Sequence, residues 1–76
     1  NECDFVIKSG LKVIEAIQVC HVLSENNKER EVNGLLEAMN DFKLTTGLIL
    51  TQEQEDKLQI KGKTIKVLPV WKWLLS

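Results

Sequence analysis

The segment Gly47-Leu48-Ile49-Leu50-Thr51 constrains the fold more than any other part of the chain. It is a short apolar run with no polar alternation, which is typical of a β-strand that is buried on both faces. The segment follows a predicted helix, which in turn follows a predicted strand. This strand–helix–strand order implies a right-handed crossover, with Leu48–Leu50 parallel to the strand Val13–Val19. The sequence therefore predicts an α/β domain.

The helix of this crossover is predicted from an amphipathic stripe. Asn26 followed by Glu29 forms a capping pair at its start, with Ser24 as an alternative first residue. Gly34 lowers helix stability by up to ~1 kcal/mol relative to alanine, so close packing against the sheet is expected there. The apolar stripe, expected in the core, consists of Val32, Leu35, Leu36, Met39 and Phe42. The acidic residues expected mainly on the solvent side are Glu29, Glu31, Glu37 and Asp41.

A β-hairpin is predicted ahead of this helix, from Cys3–Lys8 and Leu11–Cys20. A three-residue turn over Lys8-Ser9-Gly10, with Gly10 left-handed, separates apolar from polar residues better than a two-residue turn at Ser9-Gly10. The preferred register pairs Ile7 with Leu11 and Phe5 with Val13. One face then carries Phe5, Ile7, Leu11, Val13, Glu15, Ile17 and Val19, and is expected to meet the helix. The other face carries Glu2, Asp4, Ile14, Ala16, Gln18 and Cys20.

A second, smaller hairpin and a short terminal helix complete the predicted fold. Lys57–Ile60 and Lys63–Leu68 are joined at Lys61-Gly62. Pro69 then opens a helical turn over Val70–Leu75. The side chains expected to face inward from the second hairpin are Leu58, Ile65 and Val67. Those expected to cover the sheet from the terminal helix are Trp71, Leu74 and Leu75, with Trp73 partly exposed.

The length of 76 residues permits one domain, residues 1–76, and no apolar run approaches the roughly 20 residues of a membrane helix. The chain begins Asn-Glu-Cys-Asp without an initiator methionine, which indicates a piece of a longer protein. Cys3 and Cys20 lack metal-type spacing and are too few for a disulfide scaffold. A reducing cytoplasmic location is therefore expected.

Charge is distributed unevenly along the chain. Residues 1–56 carry five basic and eleven acidic side chains, whereas residues 57–76 carry five lysines and no acid. Such segregation can mark a surface that binds the phosphates of a nucleic acid. The alternative is a solvated lysine edge that prevents sheets from aggregating, and this alternative is favoured. The lysines concerned are Lys57, Lys61, Lys63, Lys66 and Lys72.

Several common catalytic and ligand-binding motifs are absent from the sequence. There is no phosphate loop, GxGxxG, HExxH or zinc-type Cys/His set. His21 adjoins Cys20, but neighbouring residues of an extended segment point in opposite directions, so a surface histidine is expected. A thiol-based role for Cys20 is the weakest of three functional hypotheses.

The polar face of the first hairpin is the candidate site. Glu2 and Asp4 alternate on one strand, and Gln18 and Cys20 alternate on its neighbour. Clustered carboxylate and amide oxygens are ligands for Mg²⁺ or Mn²⁺, so Glu2, Asp4 and Gln18 are the candidate metal ligands. Hydrolysis of a phosphodiester would also need a cation near the phosphate.

These residues resemble a known nuclease hairpin. Glu-x-Asp-Phe-Val-Ile, a glycine turn and Val-Ile-Glu-Ala-Ile-Gln-Val-Cys are similar to the core of the restriction-endonuclease-like PD-(D/E)xK superfamily. More narrowly, the chain from Glu2 to Leu75 resembles the C-terminal domain of prokaryotic AAA+-type ATPases. Those domains tend to end in a segment similar to Val67-Leu68-Pro69-Val70-Trp71-Lys72-Trp73-Leu74. The resemblance implies a partial nuclease-like core at the end of an ATPase. The rest of that ATPase chain would be the partner of the domain.

The resemblance also implies roles for individual residues. Asp4 matches the first catalytic acid and Glu2 an accessory acid. Gln18 stands where the superfamily has its second carboxylate, and Cys20 stands where it has lysine. The predicted function is therefore a non-catalytic accessory domain without a cofactor. The alternative is a metal-dependent nuclease in which a cation such as Lys12 replaces the missing lysine, while Glu15 is expected to lie on the wrong face to replace the missing acid.

Overall fold

The computed structural model describes residues 4–76, and it has two helices and one five-stranded mixed sheet with strand order β1-β2-β3-β5-β4. The predicted α/β class is confirmed. The Glu2 and Cys3 predictions lie outside the described residues. The strands are β1 (Phe5–Ser9), β2 (Lys12–Val19), β3 (Thr46–Thr51), β4 (Asp56–Ile60) and β5 (Lys63–Pro69). The helices are α1 (Lys28–Asp41) and α2 (Val70–Leu75).

Strand β3 is the centre of the sheet, as its unbroken apolar sequence predicts. It pairs in parallel with β2 on one side and with β5 on the other. Every residue from Gly47 to Thr51 is buried. The parallel pairing of β2 and β3 through α1 is the predicted crossover.

Gly47 allows α1 to approach this central strand closely. A Cβ atom at Gly47 would lie 2.6 Å from Met39 Sδ and 3.0 Å from Leu35 Cδ2, inside van der Waals contact. Gly34 is buried on α1, in line with the close packing expected there. The close contact between α1 and the sheet thus depends on the absence of a side chain at Gly47.

The first hairpin has a different register from the predicted one. Phe5 is paired with Ile17 and Ser9 with Lys12, so the turn consists of Gly10 and Leu11. Gly10 has the expected positive φ of 66°. The register shifts by one residue between Ile7 and Lys8, which leaves Ile14 as an extra residue on β2. Pairing of Phe5 with Val13 was therefore wrong.

Helix α1 covers the face of β2 opposite to the predicted one. Ala16 and Cys20 lie in one core cluster with the buried side of α1, whereas Ile17 lies in a second cluster with Ile7 and Trp73. Phe5 consequently does not pack on the helix stripe and is 59% exposed. The small side chains on the Ala16 face allow the close approach that Gly47 also permits. Sequence alternation separates the two faces but does not show which one the helix covers.

The boundaries of α1 differ slightly from the prediction. Asn27, not Asn26 or Ser24, is the N-cap residue, and it makes no side-chain cap hydrogen bond. Its Oδ1 instead accepts a hydrogen bond from Ser24 N at 2.8 Å. Val32, Leu35 and Met39 are buried as predicted, while Phe42 lies at the C-cap and is more than a third exposed.

The second hairpin agrees with its prediction. Strands β4 and β5 are antiparallel, and Ile60 pairs with Lys63 across a two-residue turn. Lys61 and Gly62 have positive φ values of 52° and 79°, which is the geometry of a type I′ turn. Ile65 and Val67 are buried in the α1 cluster, with the partly buried Leu58 packed against them.

Helix α2 follows Pro69 as predicted, but a different residue anchors it. Trp73 packs against the cluster of Ile17, Leu48 and Leu50. The residues expected to cover the sheet, Trp71, Leu74 and Leu75, are exposed. Because α2 has only six residues, it shields only part of this face. Among residues 4–76, no helix has the length and apolar character to cross a membrane.

Candidate functional site

Asp4 and Gln18 lie side by side where β1 begins next to β2. Val19 N donates a hydrogen bond to Asp4 Oδ2 at 2.9 Å, and Asp4 N donates to Gln18 Oε1 at 3.2 Å. The structure thus brings together two of the residues singled out from the sequence. It also places them at the edge of the face that α1 covers.

Gln18 is a buried side chain whose two polar ends are both engaged. It is 6% exposed, and its Nε2 donates a hydrogen bond to Glu31 Oε1 at 2.9 Å. The Glu31 carboxylate needs a donor and the Asp4 backbone N–H needs an acceptor, and the amide of Gln18 satisfies both at once. The side chain therefore links the start of β1 to α1.

Glu31 is the site residue that the sequence analysis missed. It was expected on the solvent side, but only 15% of its side chain is exposed. Its Oε2 also pairs with Arg30 Nη2 at 3.4 Å, and Arg30 is 75% exposed. A signal was present in the sequence, because Glu31 precedes the buried Leu35 by four residues and Ala38 by seven.

Cys20, at the predicted lysine position, is a free and buried thiol. Its Sγ donates a hydrogen bond to Val22 O at 3.3 Å and accepts one from Asn27 Nδ2 at 3.6 Å. Burial raises the pKa of the Cys20 thiol, and the negative charge of Glu31 raises it further. The thiol is thus held in its neutral form and supplies neither a cation nor a thiolate.

Glu15 and Lys12, which could have replaced the missing acid and the missing lysine, lie away from this site. Glu15 pairs with Ile7, three residues from Gln18 and therefore on the opposite face of β2. Lys12 pairs with Ser9 at the turn, six residues and about 20 Å along the strand from Gln18. His21 is exposed beside the buried Cys20, as expected for a surface histidine.

Two oxygens of the candidate metal ligands Asp4 and Gln18 already accept hydrogen bonds from backbone N–H groups. Asp4 Oδ2 accepts a backbone N–H, and the oxygen of Gln18 accepts another. Within residues 4–76, no three His, Cys, Asp or Glu side chains are grouped as metal ligands. Asp4 and Gln18 thus use part of their oxygen lone pairs in hydrogen bonds within the first hairpin, and Gln18 is also bonded to α1.

The lysines of residues 57–72 do not form one continuous stripe. Lys63 Nζ donates a hydrogen bond to Leu44 O at 2.8 Å, and Lys72 Nζ pairs with Glu55 Oε2 at 2.6 Å. Lys57 and Lys66 lie directly opposite each other on β4 and β5. In the part of the chain that the structure describes, neither of these two lysines forms an ion pair.

Comparison with known proteins finds a relative that is much longer than this chain. The chain is 40% identical, over an 81-residue alignment, to an uncharacterised protein of Methanocaldococcus jannaschii. The alignment covers 99% of this chain and 18% of the relative, so the chain spans about a fifth of that protein's length. No protein-family model matches the chain. No solved structure is significantly similar to it.

Proposed function

We propose that this domain is a non-catalytic binding or assembly module at the C-terminal end of a longer ATPase, with a nuclease-like hairpin whose active site has been lost. The resemblance of the hairpin and of the Pro-Val-Trp-Lys-Trp-Leu tail supports the ATPase context. The length of the archaeal relative is compatible with a larger parent protein. The observation that carries the proposal is that both polar ends of the buried Gln18 side chain form structural hydrogen bonds, one to the Asp4 backbone and one to Glu31.

The second-acid position of the nuclease pattern supports this proposal most directly. A carboxylate at position 18 would meet Glu31 Oε1 where Gln18 Nε2 now donates at 2.9 Å. Two carboxylates at this separation repel each other unless one is protonated or a cation lies between them. Glutamine removes that repulsion and leaves no reason for a metal to bind. The arrangement therefore favours structural stability over metal chemistry.

The lysine position of the pattern supports it as well. Phosphodiester cleavage needs positive charge at the phosphate, where a single donor commonly contributes about 10²–10³ in rate. Cys20 is buried, neutral and hydrogen-bonded to the segment before α1. A thiol in this environment stabilises the loop that precedes α1 and cannot contact a phosphate.

A metal-dependent nuclease is the second candidate, and one observation favours it. Glu31 is bound to the same network as Asp4 and Gln18, so two carboxylates lie on either side of the amide. Rearrangement of Gln18 could expose both carboxylates to a cation. The two candidates therefore make opposite predictions about Asp4 and Glu31.

The decisive experiment measures cleavage of DNA and RNA by the domain with Mg²⁺ or Mn²⁺. We expect no cleavage by the unmodified domain. The double variant Gln18→Glu, Cys20→Lys restores the nuclease pattern and serves as the comparison. The same variant is also made with Glu31→Gln, which removes the repulsion between the new carboxylate and Glu31. Metal-dependent cleavage by the unmodified domain that disappears in Asp4→Ala and in Glu31→Gln would overturn the proposal.

Stability measurements make the same experiment informative when no variant is active. We expect Gln18→Glu to destabilise the fold by about 1–3 kcal/mol at neutral pH, because it leaves buried groups with unsuitable partners. Adding Glu31→Gln should recover most of that loss, since an amide then again faces a carboxylate. If the Gln18→Glu variant instead binds Mn²⁺ and is more stable with the metal than without it, the result would favour the nuclease candidate.

A further inference from the structure

The sheet face that carries α2 has two features that the structural role of the Gln18 network does not explain. The first is an apolar pocket of about 300 Å³ beside β1. The second is the exposed lysine pair of β4 and β5. The residues that line the pocket are Phe5, Val6, Ile7, Ile17, Leu50 and Trp73.

Strand pairing places the two features in one row across the sheet. The register joins Phe5 to Ile17, Ile17 to Leu48, Leu48 to Lys66, and Lys66 to Lys57. Neighbouring strands lie about 4.8 Å apart, so Phe5 is about 14 Å from Lys66 and about 19 Å from Lys57. Trp73 covers the middle of the row, which leaves an apolar end and a cationic end.

The cationic end is a cost to the isolated domain. Like charges directly opposite each other on antiparallel strands are destabilising. Lys72 is neutralised by Glu55, but within residues 4–76 no ion pair compensates Lys57 or Lys66. The acid on the same face, Glu15, lies on β2, two strands away from Lys66. A negatively charged partner would remove this cost.

The apolar end limits the chemistry of that partner. The pocket wall is built from aliphatic and aromatic side chains, and the indole N–H of Trp73 is the single side-chain hydrogen-bond donor among the residues that line it. Two lysines also provide few phosphate contacts, and the whole chain has a net charge of −1. An apolar side chain followed by carboxylates matches both ends, whereas a nucleic acid could stack a base on Phe5 or Trp73 but would find few lysines for its phosphates.

We propose that this face docks an acidic protein segment, which places an apolar side chain in the Phe5–Trp73 pocket and its carboxylates on Lys66 and Lys57. This inference rests on the proposed binding role of the domain and names the partner's chemistry. The 14–19 Å separation corresponds to about five residues of an extended segment. Contacts to lysine at the rim supply specificity, and the apolar contact supplies most of the affinity.

The test is a titration of the ¹⁵N-labelled domain with a synthetic twelve-residue peptide that carries Leu and Phe at one end and two Glu residues five positions away. We expect saturable shifts at Phe5, Trp73 and Lys66. The variant Lys57→Gln, Lys66→Gln should weaken the Kd about 10-fold at low salt, and less at high salt because of screening. The matched control Lys28→Gln, Lys43→Gln makes the same charge change near the two ends of α1, which packs on the other face of the sheet, and should leave the Kd unchanged.

Further variants and ligands distinguish an acidic protein segment from other possible occupants of this face. Phe5→Ser should abolish peptide binding, whereas Phe42→Ser, an aromatic change elsewhere on the surface, should not. A peptide with Lys in place of Glu should not bind. The proposal would be overturned if the domain bound a single-stranded oligonucleotide more tightly than the acidic peptide, or if it did not bind the acidic peptide at all. It would also be overturned if sedimentation showed a dimer that dissociates in the Phe5→Ser variant. Nuclease activity with unchanged peptide binding would instead overturn only the proposed non-catalytic function.

Discussion

The two faces of the sheet are closed to very different degrees. On one face the fourteen-residue α1 packs on β2 and β3 and buries Leu35, Ala38 and Met39 completely. On the other the six-residue α2 contributes no fully buried residue, and Phe5, Trp71 and Leu74 remain more than half exposed. The α1 face therefore stabilises the fold, while the α2 face keeps apolar surface that a partner can cover.

The largest expected effect lies on the α1 face. Leu35→Ala should lower the free energy of unfolding by about 2–5 kcal/mol, because it leaves a cavity between α1 and β3. A domain of this size has little stability to lose and should unfold in mild denaturant. Chemical denaturation followed by circular dichroism measures the change.

The matched control for this prediction is its neighbour on the same helix. Leu36 is only partly buried, so Leu36→Ala should cost clearly less than Leu35→Ala. Equal losses at the two positions would contradict the observed orientation of α1. A loss below roughly 1 kcal/mol at Leu35 would contradict it as well.

An intermediate effect is expected at the anchor of α2. Trp73→Ala should cost about 1–3 kcal/mol, less than a core tryptophan, because Trp73 is only half-buried over Ile17, Leu48 and Leu50. Trp71→Ala is the matched control, since Trp71 is 53% exposed and should be nearly neutral. Thermal unfolding of both variants decides the comparison, and a larger loss at Trp71 would mean that α2 is rotated on the sheet.

The smallest effect is expected at the exposed side of α2. Leu74→Ser should change stability by no more than about 0.5 kcal/mol, because Leu74 is 68% exposed. The same variant should reduce binding of an apolar fluorescent dye to the domain. A loss of stability comparable to that of Trp73→Ala would show that the α2 face is closed and would weaken the contrast between the two faces.

Several elements of the fold could be predicted because short-range physics determines them. The apolar run Gly47–Thr51 predicted a strand buried on both faces, and Lys61-Gly62 predicted a tight hairpin turn, at which the structure has the two positive φ values. The stripe Val32, Leu35 and Met39 specified the buried side of α1 from its spacing alone. These features depend on residues within one or two turns of chain.

The candidate site was only partly predictable. Asp4 and Gln18 share one side of the first hairpin in the structure, as their alternation indicated. That Gln18 is buried by α1 and bonded to Glu31 was not predicted, because Glu31 was counted with the charged surface of the helix. An acid at the margin of an apolar stripe can face either solvent or the sheet, and only the position of α1 decides which.

The sequence by itself determined the kinds of elements, their order and the parallel crossover, because these follow from the period of the apolar residues and from turn chemistry. The tertiary structure alone decided the register of the first hairpin, which face of β2 meets α1, and the choice of Trp73 over Trp71 as the anchor of α2. Strand β2 carries apolar side chains on both faces, so its pattern fits either arrangement. The choice between them comes from how closely α1 can pack, which depends on Ala16 and Gly47 together although they are far apart in the chain.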